Sequence, residues 1–239
     1  MPKIDALDEN TPGNDLSHQA IEDYLKTIYA LAENESPVST SRIAEARHVK
    51  PASVTNMIQR LAKLNLVHYE KHYGVTLTEA GMKIALEVIR HHRLLELYLI
   101  EALGFRWDEV HEQADLLEHV ISEKMEERIA EALGHPTVDP HGAPIPAPDG
   151  TMPEITSLPL TALQAGDTAV IAEVNDDNPE ILRYLAELGL TPGAEIGITA
   201  VAPFDGPLTL HAQNKEIVLG FALAKQLFVT THNDASTKN

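Results

Sequence analysis

The 239-residue chain carries 18 Lys/Arg against 36 Asp/Glu, a formal charge of −18, with 44% hydrophobic residues, 5% aromatics and no cysteine. That length suits one large domain or two modest ones, and without cysteine there are no disulfides, zinc ribbons or thiol chemistry, so any metal site must use imidazole and oxygen ligands. No run of 18 apolar residues occurs, so no membrane span is expected, and the polar, acidic start MPKIDALDENTPGNDLS is unlike a secretory signal, which points to the cytoplasm.

In chain order, residues 1–16 are expected to be disordered. From Ser17, read as an N-cap, Ile21, Tyr24, Leu25, Ile28, Tyr29 and Leu31 recur at helical spacing and predict a helix stopping near Glu33-Asn-Glu-Ser-Pro37. Ser39-Thr-Ser-Arg-Ile-Ala-Glu-Ala46 predicts a short capped helix with Ile43 and Ala44 inward. His48-Val-Lys is a turn, and Pro51 opens a further helix to about Leu64 with Val54, Met57, Ile58 and Leu61 buried. Leu66 to Thr78 reads as two short strands around a turn containing Gly74. Thr78 then caps a long helix to about Ala102, and after the loop Gly104–Asp108 a helix is expected from His111 to about Leu133.

Seven prolines between Gly134 and Pro159 exclude helix and central strand, so this stretch predicts an extended inter-domain tether. Residues 160–231 turn to alternating β patterns at Thr168–Val174, Glu195–Val201, Leu208–His211 and Glu216–Leu219. One short helix, Glu180–Leu188, is expected to end at Gly189 as its C-cap. Several short strands in so few residues predict a small barrel. The tail 233–239 is expected to be disordered.

Two helices across a tight turn followed by a β-hairpin form the winged helix-turn-helix pattern. Net negative charge argues against a nucleic-acid partner, but the average hides a segregation. Residues 38–90 hold eight Lys/Arg against four Glu, a local charge of +4. The outward positions of the second helix are Pro51, Ala52, Ser53, Thr55, Asn56, Gln59 and Arg60. Short groups there reach base edges or thymine methyls, amides pair with adenine, and an arginine binds phosphate. Thr40 and Arg42 of the preceding helix and Lys71 of the hairpin, flanked by His68 and His72, join them as DNA-contact candidates.

His111, Asp115, Glu118 and His119 fall at i, i+4, i+7 and i+8, one face of a helix, while Leu116, Leu117 and Val120 point elsewhere. On the earlier long helix His92 and Glu96 stand one turn apart. Imidazoles and carboxylates on two helices are the donors of Mn²⁺, Fe²⁺, Co²⁺, Ni²⁺ and Zn²⁺.

On these residues the chain resembles the diphtheria toxin repressor family of metal-dependent transcriptional regulators, and most of all its manganese-responsive branch. The likeness is carried by Glu22–Tyr29, the helix-turn-helix and wing, His92-Arg-Leu-Leu-Glu96, His111…Asp115-x-x-Glu118-His119 and Gly142-Ala-Pro-Ile-Pro. Residues 160–230 are similar to the family's SH3-like, FeoA-type domain through Tyr184–Gly193, Pro203–Pro207 and Leu219-Gly. The fold it implies is a mainly α N-terminal part, winged helix-turn-helix plus helical dimerisation domain, with a small all-β SH3-like C-terminal barrel. The implied boundaries are 17–80, 81–134, a Pro-rich linker 135–159, and 160–232.

The resemblance also implies two metal sites per subunit. The primary one would use Asp23, Asp115, Glu118 and His119, with the carbonyl of residue 115 available. The ancillary one would use His92, Glu96 and His111, completed by an acid of the SH3-like domain. Asp176, Asp177 and Glu180 remain open for that role, with Asp177 taken as the candidate. Asp23 and Asp115 stand where iron-responsive members carry Met and Cys, which favours Mn²⁺ by ligand hardness while leaving Fe²⁺, Co²⁺ and Zn²⁺ as alternatives. Lys26 stands where short manganese regulators carry a Glu, so two separated sites are expected rather than a coupled pair. The expected function is a homodimeric regulator, not an enzyme, that binds an interrupted palindrome and represses metal-uptake genes, with no membrane partner. The alternatives are an iron-responsive or metal-independent transcription factor and a binuclear metallohydrolase.

Overall fold

The computed structural model describes residues 15–175, 178–213 and 215–231, in two compact units: residues 1–91 with 148–150, and 92–147 with 151–239. In the first, α1 (Asp15–Ala32), α2 (Thr40–Ala46) and α3 (Pro51–Lys63) precede a hairpin of β1 (Val67–Glu70) and β2 (Gly74–Leu77). Helix α1 starts at Asp15, inside the segment expected to be disordered, so Ser17 lies within the helix rather than capping it.

Ser39 caps α2 by accepting from the Arg42 amide at 3.3 Å. Pro51 takes the first position of α3, where its missing N–H costs no helical bond. Leu25, Ile28, Ile43, Val54, Ile58 and Leu61 form the fully buried centre of this unit. In the hairpin Glu70 faces Gly74, so the turn is Lys71–Tyr73 and Gly74 opens the second strand. Gly74 has φ +127°, and a Cβ there would stand 2.8 Å from the Val38 carbonyl oxygen, leaving room for glycine alone.

The long helix α4 (Glu79–Leu103) is capped by Thr78, whose Oγ1 accepts from the Gly81 amide at 3.1 Å. The helix expected from 111 to 133 is instead two: α5 (Val110–Leu117) and α6 (Glu123–Ala132). The chain breaks at 118–122 because Ser122 is extended and caps α6, accepting from the Met125 amide.

Residues 135–157 contain no helix and no named strand, as the prolines require. They are not a free tether, however. Asp139, His141 and Ile145 are buried, and Ile145 packs with Leu94, Leu95, Ala114, Ile129 and Ala130. Apolar and hydrogen-bonding side chains between the prolines outweigh the extended tendency of the backbone.

The C-terminal part is one six-stranded antiparallel sheet in the order β3-β8-β4-β5-β6-β7, with β3 (Leu158–Pro159), β4 (Thr168–Val174), β5 (Glu195–Val201), β6 (Leu208–Ala212), β7 (Lys215–Leu219) and β8 (Leu227–Thr231). Among the described residues no pairing joins β3 to β7, so strand pairing does not close this sheet into the expected barrel. Nor is this part all β. It includes α7 (Pro179–Leu188), ended by Gly189 at φ +73°, and α8 (Phe221–Ala224). Helix α7 buries Leu182 and Leu185 against Ile171, Leu208, Leu210 and Val229 of the sheet.

Candidate metal centre and DNA-reading face

Four segments of the second unit converge on one buried polar cluster. Helix α4 supplies His92 and Glu96, 4% and 0% exposed. Helix α5 supplies His111 and Asp115, and the turn that follows supplies Glu118 and His119. The ring of His92 is held on both sides: Nδ1 lies 2.5 Å from Glu118 Oε2 and 3.2 Å from Asp115 Oδ1, while Nε2 lies 3.0 Å from Glu96 Oε1. His111 Nδ1 is 3.2 Å from the same Glu96 oxygen, and His119 Nε2 is 3.4 Å from Glu118 Oε1.

The fourth segment is the loop Asp139-Pro-His141-Gly142, which the sequence reading did not single out. Asp139 Oδ1 accepts from the amides of His141 and Ala143 at 2.8 and 3.0 Å, and Arg93 Nε lies 3.5 Å from Oδ2. These bonds fold the loop so that His141 Nδ1 reaches within 3.7 Å of Glu96 Oε2. His141 Nε2 donates to the Trp107 carbonyl at 2.9 Å. A carbonyl only accepts, so Nε2 carries a proton and Nδ1 is the nitrogen that faces the carboxylate. The only sequence cue was an Asp-x-His pair within the proline stretch.

The charges of this cluster are mutually dependent. Burial works against protonation of His92, but the hydrogen bonds it donates to Asp115, Glu118 and Glu96 outweigh it and raise its pKa well above 6.5. Burial pushes Glu96 up, yet His111, His141 and His92 overcome that and hold it well below 4.5. Wholly within the second unit, two groups of three donors have ligand atoms within 4.8 Å of one another: His92, His111 and Asp115, and Glu96, Asp139 and His141. The donors are imidazole nitrogen and carboxylate oxygen, and Glu96 Oε2 is buried with no hydrogen bond, as suits a hard or borderline divalent cation. The residues present fit such an ion.

The six sequence-predicted ligands of this unit are therefore brought together, though Asp115 lies with His92 and His111 as well as near Glu118. Asp23 belongs to the first unit, where its Oδ2 accepts from Arg47 Nη2 at 2.8 Å. Asp177 and Asp176 lie outside the described residues. Glu180 is exposed in the first turn of α7 and joins neither group.

On α3 the side chains of Pro51, Ala52, Ser53, Asn56 and Gln59 are exposed, with Thr55 and Arg60 half-buried. Thr55 Oγ1 donates to the Pro51 carbonyl at 3.0 Å, so its hydroxyl is already engaged within the helix. Arg42 is exposed but paired with Glu45 at 2.8 Å, Thr40 is half-buried, and Lys71 is exposed in the wing turn. The helix carries no acid in its first turn and ends on Arg60 and Lys63.

Comparison with known proteins agrees with this architecture along most of the described chain. Residues 16–75 match the iron dependent repressor N-terminal DNA binding domain, 78–147 its metal binding and dimerisation domain, and 158–231 the FeoA domain. The iron-dependent repressor IdeR of Mycobacterium tuberculosis is 31% identical over 207 residues, covering 78% of this chain and 90% of IdeR. The chain belongs to the diphtheria toxin repressor family. Among solved structures, a manganese-dependent transcriptional repressor complexed with manganese is 37% identical with a TM-score of 0.83, covering 88% of this chain and 99% of that one. ScaR with bound Cd²⁺ is 33% identical with a TM-score of 0.78, over 88% and 99%. The family's named members are repressors rather than enzymes, so the metallohydrolase alternative is set aside. No helix among the described residues is long and apolar enough to cross a membrane.

Proposed function

We propose that this family member is a manganese-responsive repressor that binds DNA as a homodimer and silences metal-uptake genes when the ion is abundant. The observation that carries this reading is the convergence of buried His92, Glu96 and Glu118 with half-buried His111 and His119 and with Asp115, an all-nitrogen and oxygen donor set. Relatives named for iron would favour Fe²⁺. The absence of any sulfur donor favours Mn²⁺, whose weak intrinsic affinity must be met by hard ligands and cellular availability.

The proposed primary set is Asp115, Glu118 and His119, with Asp23 added on sequence resemblance. The ancillary set is His92, Glu96 and His111, extended by Asp139 and His141, with Asp177 as the sequence-based acid of the FeoA-type domain. A bound cation supplies the positive charge that lets several carboxylates share one dry space. Without it, the protonated His92 serves Glu96, Asp115 and Glu118 in that role and fixes their side chains in a compact set. Glu96 presents one oxygen to His92 and His111 and the other to His141, so one side chain joins both donor groups. An ion acts on the operator equilibrium only through its preference for the DNA-competent conformer, and moving that equilibrium from mostly off to mostly on takes about 5.5 kcal/mol. In the dimer the two α3 helices read half-sites about 34–36 Å apart, which makes the operator an interrupted palindrome.

The test is gel retardation of a labelled fragment of the protein's own promoter, titrated with Mn²⁺, Fe²⁺, Co²⁺ and Zn²⁺. Mn²⁺ is expected to support binding. His119→Ala and Asp23→Ala, folded by circular dichroism, are expected to need at least about tenfold more Mn²⁺. Retardation by these variants at wild-type Mn²⁺ concentrations refutes the assignment.

A further inference from the structure

The loop that carries Asp139 and His141 does not rest on the helices alone. Its outer side is built on the C-terminal sheet: the Val174 amide of β4 donates to the His141 carbonyl at 2.8 Å. Gly142, at φ +92°, lies so close that a Cβ would stand 1.9 Å from the Ala172 carbonyl oxygen. Trp107, the single tryptophan of the chain, completes the enclosure. Its indole stacks on the His141 ring at 5.3 Å between centroids and 26° between planes, and it packs against the apolar core of the sheet. The next residue, Asp108, is buried and accepts from Arg183 of α7 at 3.1 Å. One short segment thus touches the imidazole on one side and the C-terminal fold on the other.

We propose that Trp107 is a positioning residue for His141, through which the FeoA-type sheet sets the affinity of the Glu96/Asp139/His141 cluster for a divalent cation. This rests on the metal-binding reading above and adds the part played by the C-terminal fold. The Trp107 carbonyl fixes which imidazole nitrogen keeps its proton, and the stacked indole fixes the tilt of the ring, so Nδ1 points at Glu96 before any ion arrives. Groups that orient a metal-binding histidine in this way change affinity by about 10- to 100-fold when removed. Removing the indole leaves the carbonyl in place, so the ring tilt is tested by itself. Phenylalanine retains a flat face against His141.

The experiment uses the full chain and Mn²⁺ alone, counting free ion by its electron paramagnetic resonance signal and recording tryptophan emission in the same titration. Wild type is expected to take up two ions per subunit and to show quenching that follows only one of them. Asp139→Asn removes the quenching and that ion. Trp107→Ala weakens one ion by about tenfold or more and leaves the other unchanged. Trp107→Phe restores the wild-type isotherm to within about twofold, and Arg183→Ala, which removes the ion pair to Asp108 and no proposed donor, weakens the same ion as Trp107→Ala. Should Trp107→Ala fail to fold, wild-type quenching together with Trp107→Phe and Arg183→Ala decides the matter. Two ions bound with no quenching, or with both ions equally affected by Trp107→Ala, overturn this inference and leave the repressor reading standing. A wild-type chain that binds no Mn²⁺ overturns both.

Discussion

His92 decides the charge of the cluster when no ion is bound. Its pKa in the folded chain stands well above the ordinary 6.5, because Asp115, Glu118 and Glu96 favour the imidazolium more than burial disfavours it. A raised folded-state pKa means the folded chain holds its proton more tightly than the unfolded one. That contribution to stability is complete below about pH 6.5 and is lost as pH rises through the raised value. Glu96 works in the opposite sense: held well below 4.5, it stabilises above that pH and ceases to as pH falls through its lowered value. The chelated, metal-free protein should therefore unfold at lower urea concentration at pH 9 than at pH 7. In His92→Gln the midpoint should change little across that alkaline range. A wild-type midpoint that is flat from pH 7 to 9 would show that His92 is not held as the cation.

At the scale of elements, the recognition helix was the most legible part of the chain. Pro51 and the stripe Val54, Ile58 and Leu61 define both its start and its buried face, so the outward residues follow by geometry. Arg60, in its last turn, is assigned to phosphate and Asn56 to a base edge. Arg60→Ala is expected to weaken binding to every sequence alike and to lower the slope of log affinity against log salt by about 0.9. Asn56→Ala is expected to relax discrimination at one base pair, worth about 1–3 kcal/mol there. A loss confined to a single base pair for Arg60→Ala would overturn the phosphate role. Other elements could not be read the same way. The break after Leu117 has neither glycine nor proline to mark it, since it depends on Ser122 capping the next helix. Asp139 and His141 sit in a stretch whose prolines read as tether, and they become ligand candidates only because Arg93 and β4 hold the loop from two sides. Local pattern shows which face of an element is apolar; it does not show which loop a distant strand will pin.

For the whole molecule, a net charge of −18 coexists with a stretch, residues 38–90, that carries +4. Such segregation is the charge pattern expected of a DNA-facing segment on an otherwise acidic chain. It also makes the exposed apolar residues of the second unit conspicuous. Leu103, Leu116 and Val120 are 58%, 66% and 73% exposed, and Phe105, Leu117 and Met125 accompany them. All fall between residues 103 and 125, in the region that matches the family's metal binding and dimerisation domain. Large apolar side chains left in water in one region mark a surface that another protein covers, and in a two-fold dimer each substitution there is felt twice. Val120→Glu is therefore expected to raise the dimer dissociation constant by at least about tenfold, which is about 1.4 kcal/mol. Sedimentation at several protein concentrations measures this directly. The same variant should still take up Mn²⁺, because Val120 supplies no donor, yet lose retardation of a palindromic operator, since one subunit reads a single half-site. If Val120→Glu sediments as wild type and still retards the operator, the dimer is formed by a different surface. If it loses Mn²⁺ as well, the substitution has disturbed Glu118 and His119 rather than the pairing of subunits.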